Sequence, residues 1–156
     1  MANPNAVGNL NLDSFSNGRL GVIRATTLNT SGNGIVTNVD IPLLSGGLTN
    51  GGAVANSGGV ILRRITVQNP SGNVSAANVS ITTSSDGNIS NAVVANVVLT
   101  SLNGTGKYQD LNIASPYSAN TVVSGNSTQC LYVNVNTVAG NNNTVDICVW
   151  GDVVSF

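Results

Sequence analysis

The chain has 156 residues, a formal net charge of −1 and 7% charged residues, against about 25% in an average soluble domain. The length suits one domain with a buried core. The few scattered charges argue against nucleic acid, which needs clustered Lys and Arg, and against a membrane surface, which needs a basic amphipathic stretch.

The hydrophobic fraction, 41%, comes almost wholly from Val, Ala, Leu and Ile, with 4% aromatics. Disorder combines low hydrophobicity with high net charge, and this chain has neither. A surface of amides and hydroxyls fits a protein held in an assembly by shape and hydrogen bonds, since lone monomers rely on more surface charge to stay apart.

Residues 1–18, "MANPNAVGNLNLDSFSNG", read as an extended arm: they are rich in Asn and Gly, with scattered apolar positions. They lack the basic and apolar regions of a signal peptide, and no apolar run reaches the roughly 20 residues of a membrane helix. Residues 19–156 then alternate strand and turn. "RLGVIRATTL" (19–28) and "GIVTNVDIPL" (34–43) flank "NTSGN", a hairpin signal. A Gly-rich connection (44–59) leads to "VILRRITVQN" (60–69), a turn at "NPSGN" and "VSAANVSITT" (74–83). After "SSDGN" come "AVVANVVLT" (92–100), "KYQDLNIA" (107–114), "QCLYVNVNT" (129–137) and "TVDICVWGDVVSF" (144–156). Dense β-branched residues and recurrent Gly disfavour helix, although "AVVANVVLT" also suits a short buried helix. The expected fold is all-β: an antiparallel β-sandwich or jelly roll of about eight strands.

Two adjacent arginines, Arg63 and Arg64, stand inside one of the most apolar runs. Strict alternation puts Ile61, Arg63, Ile65 and Val67 on one face and Arg64 on the other. Arg64 then points outward, and Arg63 falls on the core face, where an unpaired guanidinium is very costly. Pairing with Asp110 or Asp40, escape to water at a sheet end, or cover by a neighbouring subunit each resolve the conflict.

At the end of the chain, Leu131, Val133 and Val135 share one strand face, as do Val145, Ile147 and Val149. If the two segments pair as a hairpin, one allowed register sets Cys130 opposite Cys148 and another sets Tyr132 there. Both thiols then share a face with Tyr132 and Trp150. Free, largely buried thiols are expected.

No chemistry is legible. The chain has no His and no Glu, which removes the usual base of Ser and Cys nucleophiles. Two Cys fall short of a zinc site, "SSDGN" is too short for a calcium loop, and no phosphate loop is present. Neither enzyme activity, nor a metal, nor a cofactor is expected. Tyr108, Tyr117, Tyr132 and Trp150 stand amid many amides, which suits either sugar contact or burial as core and interface anchors.

The arm, the turns "TSGNG", "PSGNV" and "SSDGN", and the β-rich end from "TQCLYVNVNT" onward resemble the small head decoration, or cement, proteins of tailed bacteriophages. The likeness is one of texture over the whole length. It implies a β-sandwich that binds the major capsid protein on the outside of a virion assembled in the host cytoplasm. It also implies a dimer or trimer that stabilises the shell, and Arg63, Arg64, Tyr132 and Trp150 are the candidate assembly contacts. The alternative is a tail-fibre or spike-type adhesin domain that binds surface glycans.

Overall fold

The computed structural model describes residues 18–29, 39–42, 58–84, 87–119, 122–123 and 130–155. The expected arm (1–18), apart from Gly18, lies outside them, as does most of the Gly-rich connection. The described residues form nine strands: β1 (Gly18–Thr27), β2 (Val39–Pro42), β3 (Gly58–Gln68), β4 (Asn78–Thr82), β5 (Ala92–Val98), β6 (Tyr108–Leu111), β7 (Val122–Val123), β8 (Cys130–Thr137) and β9 (Thr144–Ser155). The only helical pieces among the described residues are two short 3-10 turns, Ile89–Asn91 and Tyr117–Ala119. "AVVANVVLT" is therefore a strand. No helix among the described residues is long and apolar enough to cross a membrane.

The strands form two antiparallel sheets. The five-stranded sheet has the order β1-β9-β3-β6, with β7 also on β3, and the four-stranded sheet has the order β2-β8-β4-β5. The fold is an all-β sandwich. Its core fills the space between the sheets: Leu20, Leu62, Ile65, Val67, Ile147 and Val149 on one side, Val79, Ile81, Leu131, Val133 and Val135 on the other. Two loops close one end of this core. Val74, Ala77, Leu99 and Leu102 are fully buried, and the Val74 and Leu99 amides donate across to the Leu102 and Ala77 carbonyls, each at 2.9 Å.

The chain passes repeatedly from one sheet to the other, and this corrects two expected pairings. The segments 19–28 and 34–43 do not form a hairpin: β1 pairs with β9 and β2 with β8, in different sheets. The C-terminal segments do not form one either, because β8 lies in the four-stranded sheet between β2 and β4, and β9 lies between β1 and β3. Both apolar triplets are nevertheless buried. Alternation reports which face of a strand turns to the core, and two facing sheets satisfy it as well as one hairpin does. Among the described strands only β4 and β5 are consecutive and also neighbours in a sheet.

The segment 74–83 enters its strand only at Asn78. Before it, the Asn73 side chain accepts from the Ser75 amide at 2.9 Å, an Asx turn that diverts the backbone from the ladder.

Candidate functional site

The conflict at Arg63 and Arg64 is resolved by a β-bulge. Leu62 lies opposite Gly151 and Arg64 opposite Trp150, so Arg63 is the extra residue. A bulge resets alternation. Val60 and Leu62 face the core before it, Ile65 and Val67 face the core after it, and both arginines face solvent. The placement of Arg63 on the core face is thus corrected. Gly151 is the matching half of this device. A Cβ there would collide with the Ile61 carbonyl oxygen and approach Leu20 Cδ1 to 2.8 Å, so only Gly lets the bulged strand come this close.

The partners also differ from those expected. Arg63 Nε donates to Asp152 Oδ2 at 2.7 Å. Arg64 makes a bidentate pair with Asp110, Nε to Oδ1 at 2.8 Å and Nη2 to Oδ2 at 2.9 Å. Thr66, opposite Asp110 on the same face, adds its hydroxyl to Oδ1 at 2.8 Å. The hydrogen bond from Arg64 outweighs desolvation and, with the one from Thr66, holds the Asp110 carboxyl below the usual carboxylate range. Asp40, the other expected partner, lies on β2 in the opposite sheet, across from Tyr132.

These pairs belong to a face on which the chain concentrates its charge. Arg19 and Arg24 lie on β1, Arg63 and Arg64 on β3, and Lys107 precedes β6, so all five cations sit in or beside the five-stranded sheet. Asp110, Asp146 and Asp152 lie in the same sheet. The outward residues form cross-strand rows: Arg19, Trp150 and Arg64; then Val22, Cys148, Thr66 and Asp110; then Asp146, Gln68 and Tyr108.

Asp146 binds this sheet together at one end. Its Oδ1 accepts from the Ala25 amide and its Oδ2 from Asn69 Nδ2, each at 2.9 Å. Ala25 and Asn69 are the two described non-glycine residues with positive φ, 51° and 52°. Desolvation pushes the Asp146 carboxyl up, but the two hydrogen bonds and nearby Arg24 prevail and hold it low. Cys148 is free and buried beneath this surface, with Gln68 Nε2 at 3.5 Å from Sγ; burial pushes its thiol up, so it is not a poised nucleophile. The Cys130 side chain lies outside the described residues.

A groove of about 300 Å³ runs over the β3 residues Thr66 and Gln68, bounded by Trp150 on one side and by Lys107 and Tyr108 on the other. Sequence reasoning did not place these residues together, because β9 and β6 flank β3 only through long-range pairing.

The opposite face of the molecule is different in kind. β4, β5 and β8 carry no charged residue. Their outward positions hold Asn78, Ser80, Thr82, Asn96, Val98, Tyr132, Asn134 and Asn136, and the Asn, Ser and Thr side chains among them bond to one another. Asn136 Nδ2 donates to Asn96 Oδ1 at 2.7 Å and to Ser80 Oγ at 3.3 Å, and Asn134 Nδ2 donates to Thr82 Oγ1 at 3.0 Å. Ser80, Thr82 and Asn134 are buried although they point away from the core. Among the described residues no buried side-chain nitrogen or oxygen lacks a partner.

The four candidate contacts therefore do not form one patch. Arg63, Arg64 and Trp150 share the charged face, and Tyr132 stands on the amide face. The expectation that both thiols share a face with Tyr132 and Trp150 fails for the same reason: β8 and β9 belong to different sheets. Tyr117 is half-buried and packs against the core. Among the described residues no three His, Cys, Asp or Glu side chains come together as a metal site would need. No family model, curated protein or solved structure matches this chain.

Proposed function

We propose that this is a structural virion protein, a capsid decoration protein of a tailed bacteriophage that docks on the outside of the head and stabilises it. The observation that carries this reading is the amide face of the four-stranded sheet. Interface cores are depleted in charge and enriched in Tyr, and this face joins an uncharged surface on β4, β5 and β8 to Tyr132 and to a bonded set of Asn, Ser and Thr side chains. Because Asn136 and Asn134 are held by their neighbours before docking, less side-chain freedom is lost on binding. Val98 is 43% exposed and supplies an apolar contact on the same face.

In this reading the partner is the major capsid protein and the protein acts as a homo-oligomer, a dimer or trimer, so that several modest contacts add through avidity. The site of action is the virion surface, reached after assembly in the host cytoplasm. The charged face then looks away from the shell.

The test is co-sedimentation of the full chain with undecorated heads, together with its native mass from light scattering. Raising salt from about 0.1 M to about 1 M shortens the Debye length from about 10 Å to about 3 Å. An interface whose described strands carry a single charge, Asp40 of β2, predicts retention on the heads throughout, and release into the supernatant at high salt contradicts the reading. Val98→Lys, at an exposed position, is expected to weaken head binding at least about tenfold by burying an unpaired charge, with an unchanged thermal midpoint.

A further inference from the structure

We propose that the groove between Trp150 and Tyr108 binds a linear oligosaccharide that carries carboxylates, a uronate chain. The inference goes beyond the docking reading and stands on the opposite face of the sandwich, so each can fail alone.

Trp150 lies opposite Arg64, and Tyr108 lies opposite Gln68, four residues further along β3. At about 3.3 Å per residue the two rings are offset by roughly 13 Å along the strand, on either side of it. That spacing suits an elongated ligand lying across the sheet rather than a compact one. Tyr108 is 60% exposed, so its ring is available for stacking and is not committed to the core.

Between the rings the floor is polar and fixed. Arg64 and Thr66 line it and are both held by Asp110 beside the groove, and Gln68 is anchored on the Cys148 sulfur. Sugar hydroxyls donate and accept at once, so they match a surface that offers the Arg64 guanidinium and the Gln68 and Asn69 amides side by side. Aromatic faces with a few convergent polar groups are the usual make-up of a small-molecule site.

The acidic character of the ligand follows from one cation that lines the groove and one on β1, on the far side of Trp150. Lys107 adjoins Tyr108, and Arg19 is the cross-strand neighbour of Trp150. Neither makes an ion pair with a described residue, whereas Arg63 and Arg64 do.

Trp150 is the single tryptophan of the chain, so its fluorescence reports this site alone. Titration of the full chain with oligogalacturonate is expected to give a saturable change in that signal. Tyr108→Ala should weaken the affinity about fivefold, the scale of one aromatic contact. Lys107→Gln should weaken it about threefold, the scale of one exposed ion pair. Both positions are exposed, and the thermal midpoint should not move. A neutral cello-oligosaccharide should bind more weakly than the uronate. Absence of any fluorescence response, or a response that both variants leave intact, overturns the site. Equal binding of the neutral chain overturns the requirement for carboxylates, and equal binding of oligo-dT overturns the assignment to saccharide.

Discussion

The two sheets cover one core but turn opposite surfaces outward. On the five-stranded sheet the outward positions carry four of the chain's five cations, three of its carboxylates and Trp150, with ion pairs at Arg63–Asp152 and Arg64–Asp110. On β4, β5 and β8 they carry amides and hydroxyls joined by hydrogen bonds. The ion pairs are half exposed: the side chains of Arg64 and Asp110 are 51% and 49% accessible. The amide set includes Ser80 and Thr82, which are fully buried. Exposed ion pairs contribute little to stability, whereas a buried polar group left without its partner costs about 1–3 kcal/mol. The quieter face thus carries more of the fold's polar stability, and the charged face is freer to serve recognition.

The largest expected effect lies where the charged sheet is made. Gly151→Ala drives a methyl into the Ile61 carbonyl at the bulge and should cost about 3 kcal/mol, at the upper end for overpacking. Thermal denaturation reads it directly. A loss below about 1 kcal/mol would mean that the bulge yields easily, and the outward placement of both arginines would need another cause.

Next comes the amide face. Asn134→Ala leaves the buried Thr82 hydroxyl without this donor and should cost about 1–2 kcal/mol in urea denaturation. Thr82 also donates to the Ser84 carbonyl at 2.8 Å, which limits the loss. If Asn134→Ala is neutral, the amide set is surface ornament and the contrast between the faces weakens.

Acid should separate the faces. Asp110 and Asp146 both titrate below the ordinary carboxylate value of about 3.9. A depressed carboxylate gives stability that is complete above the unfolded value and is lost as pH falls through the folded one. Stability should therefore decline below about pH 4, and Asp146→Asn should flatten that decline. Hydrogen exchange should show β3, β6 and β9 losing protection before β4 and β8.

The smallest effect is that of the Arg64–Asp110 pair itself. A double-mutant cycle with Arg64→Gln and Asp110→Asn should return less than about 1 kcal/mol, and less again at high salt. A larger coupling would make the pair a structural element of the sheet and not chiefly part of a binding floor.

The all-β class, most strand positions and the apolar triplets of β8 and β9 were legible in the residues, because alternation and turn chemistry are local. So was the tension at Arg63 and Arg64, which marked the bulge without revealing it: nothing local tells a strand to reset its parity, and the signal sits 87 residues away in Gly151. The same holds for the site. Trp150 and the arginines drew attention by rarity, but Tyr108 and Lys107 joined them only through β6.

By itself, then, the sequence determined that this protein is a low-charge β chain and which residues turn inward on strands that keep alternation, such as β8 and β9, since side-chain direction has a period of two whatever the partner strand is; at the β3 bulge, parity alone misplaced Val60, Ile61, Leu62 and Arg63. The tertiary structure decided which strands are neighbours. Because consecutive strands mostly cross between sheets, it alone separated Tyr132 from Trp150 and gave Arg63 and Arg64 their aspartates. It also brought Trp150, Gln68 and Tyr108 to one groove, through pairings that no local pattern encodes.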